Sequence, residues 1–163
     1  MFSDPIQNVL EFGFIPGDTV VDFGAGAGHY SHVLSQTVGS EGKVIAVDIQ
    51  KEMLARLKNE ARKFGKDNIE VVWSDVEKQN GTNLRDGMSA GAVLSNILSM
   101  VEDKAGTIRE AKRVIRPNGR ICVVEWTNKI SRDRMKELFT EAGLKFERVF
   151  EAGSHHYGMT FRK

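Results

Sequence analysis

Residues 20–30 read VVDFGAGAGHY. The run TVVDF (19–23) is rich in β-branched side chains, which suits a short strand, and it stops at three alternating glycines, Gly24, Gly26 and Gly28. Beyond them Tyr30, Val33, Leu34 and Val38 recur at helical spacing until Gly39. The unit is strand, glycine loop, helix. Glycines at such a junction let the backbone turn tightly and bring the free amides of a helix N-terminus close to a ligand. A GxG alone fits a structural turn equally well, so its neighbours matter. The NAD fingerprint needs Gly or Ala three residues after its second glycine, and His29 and Ser31 stand there in the two possible registers, which disfavours a dinucleotide. Asp22, just ahead of the loop, would repel a pyrophosphate but attract an ammonium or sulfonium.

Working outward, Asp4-Pro5 offers an N-cap with proline at the first helical position, and Ile6, Val9 and Leu10 then share one face of a short helix ahead of the Pro16-Gly17 turn. Downstream, KVIAVD (43–48) is a strand, Met53, Leu57, Ala61 and Phe64 line a helix closed by Gly65, and IEVVWSD (69–75) is the third strand. Residues 77–91 carry no clear period, and AVLSNIL (92–98) is expected as a fourth strand leaving the sheet. Ile108, Ala111 and Ile115 mark a helix, Pro117-Asn118-Gly119 its turn, RICVVEW (120–126) a fifth strand, and Met135, Leu138, Phe139 and Ala142 the last helix. KFERVFEA (145–152) and HYGMTFRK (156–163) flank Gly153-Ser154 as an antiparallel hairpin. Five βα alternations predict an α/β fold with a mostly parallel sheet and helices on both faces. One domain over 1–163 is expected, with 1–16 an N-terminal helix and turn and 145–163 a C-terminal hairpin. Ligands of such sheets sit beyond the carboxyl ends of the strands, near the topological switch point.

The 163 residues suffice for one hydrophobic core. Lys plus Arg total 23 against 22 Asp plus Glu, a net charge of +1, so no strong field draws the molecule to nucleic acid or anionic lipid. The single cysteine, Cys122, lies in an apolar run and excludes an internal disulfide, which points to a reducing cytoplasm. No segment reaches the roughly 18 apolar residues of a membrane span, and the first residues lack the basic start of a signal peptide.

Two further acids end strands in the required places. Asp48 closes the second strand, 20 residues beyond Gly28, where a carboxylate accepts hydrogen bonds from ribose hydroxyls. Asp75 closes the third, in reach of an exocyclic amine. Either acid alone is commonplace at a strand end, but the ordered set is not. With these residues in hand, the sequence resembles the class I S-adenosylmethionine-dependent methyltransferases. VVDFGAGAGHY looks like their first motif, VIAVDIQKEML (44–54) their ribose-binding motif, SDV (74–76) their adenine-contacting motif and AVLSNILSMVEDK (92–104) their fourth. EAKRVIRPNGRICVVEW (110–126) with HHYGMTFRK (155–163) is similar to the small ubiquinone/menaquinone-biosynthesis type branch.

The resemblance implies a three-layer Rossmann-like fold with a seven-stranded sheet whose last strand is antiparallel, and S-adenosyl-L-methionine as cofactor with S-adenosyl-L-homocysteine as product. It also implies that Asp22, Gly24, Ala25, Gly26 and Gly28 hold the methionine part, that Asp48 binds the ribose and that Ile49 packs on the adenine. Asp75 and the Val76 amide would read the adenine edge, and the Asn96 backbone would help hold the methionine amine. The chain departs from the family by having SAGAV (89–93) where an acid is usual and a short link, TNKISRD (127–133), where relatives often carry a cover for the acceptor. The acceptor side is therefore expected to be open, or completed by a second copy or a partner.

Methyl transfer from a sulfonium is an in-line displacement, so a base matters only for an acceptor that arrives protonated. Glu125 and His155 are the candidates, with His156 and His29 behind them. His155 and His156, adjacent on a predicted strand, point to opposite faces. His29 and His32 have no third ligand, so no metal is expected. Tyr30, Met100 and Trp126 could line an apolar acceptor pocket, or simply edge the core. The leading expectation is an enzyme methylating a small molecule. The alternatives are methylation of RNA or protein, which would show a steep salt dependence, and a non-catalytic cofactor-binding partner subunit.

Overall fold

The computed structural model describes residues 3–163. Along the chain come α1 (Pro5–Phe12), β1 (Thr19–Phe23), α2 (His29–Val38), β2 (Lys43–Asp48), α3 (Lys51–Lys63), β3 (Ile69–Trp73), β4 (Ser89–Ser95), α4 (Lys104–Val114), β5 (Ile115–Trp126), α5 (Arg132–Glu141), β6 (Lys145–Gly153) and β7 (His156–Arg162). The strands form one sheet in the order β3-β2-β1-β4-β5-β7-β6. The strands from β3 through β5 pair in parallel, while β7 runs antiparallel to both β5 and β6. The expected seven-stranded α/β sheet with an antiparallel last strand is what the chain forms. β1, β2, β4 and the second half of β5, from Ile121, are almost wholly buried because helices cover both faces. Val9, Phe12, Leu34 and Val38 of α1 and α2 pack on Val20, Val44, Val93, Cys122 and Val124. Ile108, Ala111, Met135, Leu138 and Phe139 of α4 and α5 fill the opposite side against Val21, Ala92, Ile121 and Phe161.

Several local expectations are corrected. In α1 the buried face is Asn8, Val9 and Phe12, and Ile6 and Leu10 are exposed. The helix is rolled because Asn8 Nδ2 donates to Tyr30 Oη at 2.8 Å and to the Ala152 carbonyl at 3.2 Å. Phe64 does not line α3; it is the exposed C-cap residue, and Leu54 joins Leu57 and Ala61 on the buried face. β4 starts at Ser89, three residues earlier than expected. Its Gly91 is demanded by Phe14, whose ring would collide with any Cβ there. Ile115 belongs to β5 rather than to a helix, and the Pro117-Asn118-Gly119 turn is a bulge within that strand, between the pairs Ser89↔Ile115 and Gly91↔Arg120. Residues of the aperiodic stretch are tied down by α4: Glu110 accepts from Thr82 Oγ1 at 2.7 Å, and Arg113 Nη1 donates to the Leu84 carbonyl at 2.7 Å.

No helix among the described residues is long and apolar enough to cross a membrane. The strand order reverses between β1 and β4, so the carboxyl ends of those two strands flank the switch point.

Candidate active site

At the end of β1 the chain turns through Gly24, Ala25 and Gly26 before α2 begins at His29. The Gly24 and Ala25 amides both donate to the Val47 carbonyl, at 2.8 and 3.0 Å, which folds the loop back over β2. Gly26, at φ +53°, has nothing within 4 Å of where a Cβ would stand, so its open side faces the clefts described below rather than the protein. Gly28 differs: at φ +81° its missing Cβ makes room for Leu57 of α3, and it lines neither cleft described below. Gly28 therefore serves helix packing, a role that loop spacing alone does not distinguish from ligand contact.

Asp22 is 2% exposed and accepts from Ser31 Oγ at 2.6 Å. Burial pushes its carboxyl up to about 6, with the charge of Asp48 adding and the Ser31 bond opposing. A carboxylate held in that environment lacks a counter-charge, which is what a bound cation would bring. Asp48 is already engaged: one oxygen accepts from the Gly26 amide and the other from the Gln50 amide, both at 2.8 Å. It anchors the glycine loop as well as facing the cleft, which its position at a strand end did not reveal.

Two clefts meet at this loop, sharing Gly24, Gly26, Ser95 and Asn96. The smaller, about 300 Å³, runs past Asp48, the exposed Ile49, Asp75, Val76 and Met100. Asp75 accepts from the Glu77 amide at 3.1 Å and lies 3.5 Å from Lys78 Nζ. The larger, about 470 Å³, is lined by Asp22 and Ala25 and by Tyr30, Trp126 and His156. Asn96, at φ +54°, donates its amide to the Val124 carbonyl at 2.8 Å, and its side-chain Oδ1 is buried without a partner. The unpaired Oδ1, the uncompensated Asp22 carboxylate and the open Gly26 edge fit a ligand with a cationic amino acid end. The acid and apolar surface of the smaller cleft fit its nucleoside end.

The structure separates the base candidates. Glu125 is fully buried and lines neither cleft; its carboxylate accepts from Ser99 N at 3.1 Å, Ser99 Oγ at 3.0 Å and Trp126 N at 3.0 Å, pinning the turn after β4 to β5. His155 stands exposed in the hairpin turn before β7 and lines neither cleft, because the strand begins at His156. His156 takes that place in the larger cleft. Met100 lies on the smaller cleft rather than beside Tyr30 and Trp126. His29 lines the larger cleft, while His32 lies 3.6 Å from Glu60, so the pair does not converge. Among the described residues no three His, Cys, Asp or Glu side chains gather as a metal site. Ser31, which holds Asp22, and Ser95, common to both clefts, were not expected from motifs; a hydroxyl at the start of the helix after a glycine loop was the available signal.

A mostly parallel sheet with a switch-point cleft built on a glycine loop and acids defines a Rossmann-like α/β protein. The methyltransferase domain family matches residues 15–156, and the chain belongs to that family, within the class I S-adenosylmethionine-dependent methyltransferases. An arsenite methyltransferase of Aquipseudomonas alcaligenes is 34% identical over 112 residues, 66% of this chain and 32% of that protein. A ubiquinone/menaquinone biosynthesis C-methyltransferase of Hahella chejuensis is 36% identical over 117 residues, 71% of this chain and 45% of that protein. The chain thus spans less than half the length of these curated relatives. A solved SAM-dependent methyltransferase from Aquifex aeolicus superimposes with a TM-score of 0.89 at 29% identity, over 98% of this chain and 89% of that one.

Proposed function

We propose that this protein transfers the methyl group of S-adenosylmethionine to an uncharged small molecule. The observation that carries this is the junction of two clefts at Gly24, Gly26, Ser95 and Asn96, with the uncompensated Asp22 on one side and Asp48 and Asp75 on the other. S-adenosylmethionine would supply an electrophilic methyl group on a sulfonium. Asp48 and Asp75 would hold its ribose and adenine, with Ile49 against the base and the Val76 amide at its edge. Asp22 and the open edge of the loop at Gly26 would take the amino acid end, aided by the Asn96 backbone. The acceptor would lie against Tyr30 and Trp126. Placing both reactants in one line, in a cleft that excludes water, supplies most of the acceleration such a displacement needs.

Among the described residues lining the larger cleft there is no Lys or Arg, which favours a small neutral acceptor over a phosphate-rich nucleic acid. Cys122 is buried within β5 and its thiol is pushed far up by burial, so no thiol of this chain would hold the acceptor. A reducing cytoplasm suits that single free cysteine. The test is calorimetric titration with S-adenosylmethionine and S-adenosylhomocysteine. Both are expected to bind one to one, and failure of both with the folded protein would overturn the proposal.

A further inference from the structure

We propose that His156 is the proton-accepting residue of the larger cleft, and that the molecule methylated there is a planar, uncharged compound with an acidic O–H, a phenol or an enol. This rests on the methyltransferase reading above. His156 opens β7 directly across from Trp126 in the β5–β7 register. It is 1% exposed, yet neither Nδ1 nor Nε2 has a hydrogen-bond partner. Its ring is held against the Trp126 indole, with centroids 3.9 Å apart at 42°. Buried imidazole nitrogens are normally satisfied, and one that is not, in the wall of a ligand cleft, has its desolvation cost relieved by a donor that enters the cleft.

The other titratable groups around that cleft are occupied or solvated. Asp22 of β1 accepts from Ser31, the Tyr30 hydroxyl of α2 is bonded to Ser3 and Asn8, and Glu125 of β5 accepts from Ser99. His29 of α2 and His155 of the hairpin turn are exposed, where water satisfies them. Burial, then the neighbouring His155, holds the His156 imidazole below its ordinary pKa, so it is neutral at pH 7 with a free lone pair. Tyr30 and Trp126 give the cleft aromatic walls, which favour a planar acceptor.

The step balances simply. The acceptor O–H gives its proton to a ring nitrogen of His156, and the electron pair left on the acceptor forms the bond to the methyl carbon. The carbon–sulfur bond breaks with its pair going to sulfur, leaving a neutral thioether. The imidazolium then returns its proton to water.

The probe is 4-nitrophenol, whose ionised form is coloured, titrated into the full chain saturated with S-adenosylhomocysteine. Wild-type protein is expected to bind it with the bound phenol ionising at lower pH than the free one. The ¹⁵N signals of the His156 imidazole should shift at the same time as that ring takes up the proton. His156→Phe and His156→Gln should weaken the probe by about tenfold or more while leaving S-adenosylhomocysteine binding unchanged. Wild-type protein that ignores the phenol, His156 signals that do not move, or folded variants that bind it equally well would each overturn the proposal. If neither variant folds, the wild-type signals decide. Absence of S-adenosylhomocysteine binding in the same samples would instead strike the methyltransferase reading itself.

Discussion

Replacing Asp22 with Asn should make the ligand-free protein more stable at neutral pH while weakening its hold on S-adenosylmethionine. The carboxyl is 2% exposed and is raised from 3.8 to about 6, mainly by burial. At 1.36 kcal/mol per pKa unit, the ionised form is disfavoured in the fold by about 3 kcal/mol. Between these two values the folded state binds more protons than the unfolded one. Stability therefore falls as pH rises from about 4 to about 6, and the full penalty remains above that window. Asn carries no charge and its amide oxygen can still accept from Ser31, so Asp22→Asn escapes the penalty. Urea unfolding at pH 7.5 should show a gain of about 1–3 kcal/mol, shrinking toward zero near pH 4. Titration at pH 7.5 should show S-adenosylmethionine weakened by about tenfold or more, because the cationic end loses its counter-charge. A variant less stable than wild type at pH 7.5, or a gain undiminished at pH 4, would mean that the buried charge of Asp22 does not destabilise the fold.

Asp48→Ala removes the acceptor for the Gly26 and Gln50 amides as well as the proposed ribose contacts. It should cost about 1–3 kcal/mol of stability by urea unfolding and at least about tenfold in S-adenosylhomocysteine affinity by calorimetry. Gly28→Ala sets a Cβ against Leu57 at φ +81° and should lower the thermal midpoint, through a loss of about 1–3 kcal/mol, although the residue lines neither cleft. Glu125→Ala leaves the Ser99 and Trp126 amides without their acceptor and should destabilise by about 2–4 kcal/mol, whereas Glu125→Gln retains an acceptor oxygen and should cost less than half as much. Neither change should shift the pH dependence of methyl transfer, because Glu125 is sealed from both clefts.

What the sequence carried plainly was periodicity and ordered spacing. TVVDF with its glycines, KVIAVD with Asp48, and the hairpin about Gly153-Ser154 all folded as their local patterns required, since strand propensity, turn chemistry and burial agree there. The errors fall where long-range polar bonds overrule a pattern. Ile6 and Leu10 share an apolar face, but three-way bonding of Asn8 to Ser3, Tyr30 and Ala152 rolls that face outward. Residues 77–88 show no period because Glu110 and Arg113, far along the chain, supply their partners. In the site, a strand end seen from sequence does not tell whether a carboxylate opens onto a cleft or into the protein, and Glu125 turns inward to Ser99. β7 begins at His156, as HYGMTFRK led one to expect, so His155 falls in the exposed turn and the place on the cleft goes to His156.

A crystal structure with S-adenosylhomocysteine would show whether one molecule of cofactor spans both clefts past the Gly24–Gly26 loop. The adenosine should lie between Asp48, Ile49 and Asp75, the amino acid end at Asp22 and Asn96, and the sulfur should open toward Trp126 and His156. Adenosine outside the smaller cleft, or a sulfur facing away from the larger one, would contradict that placement.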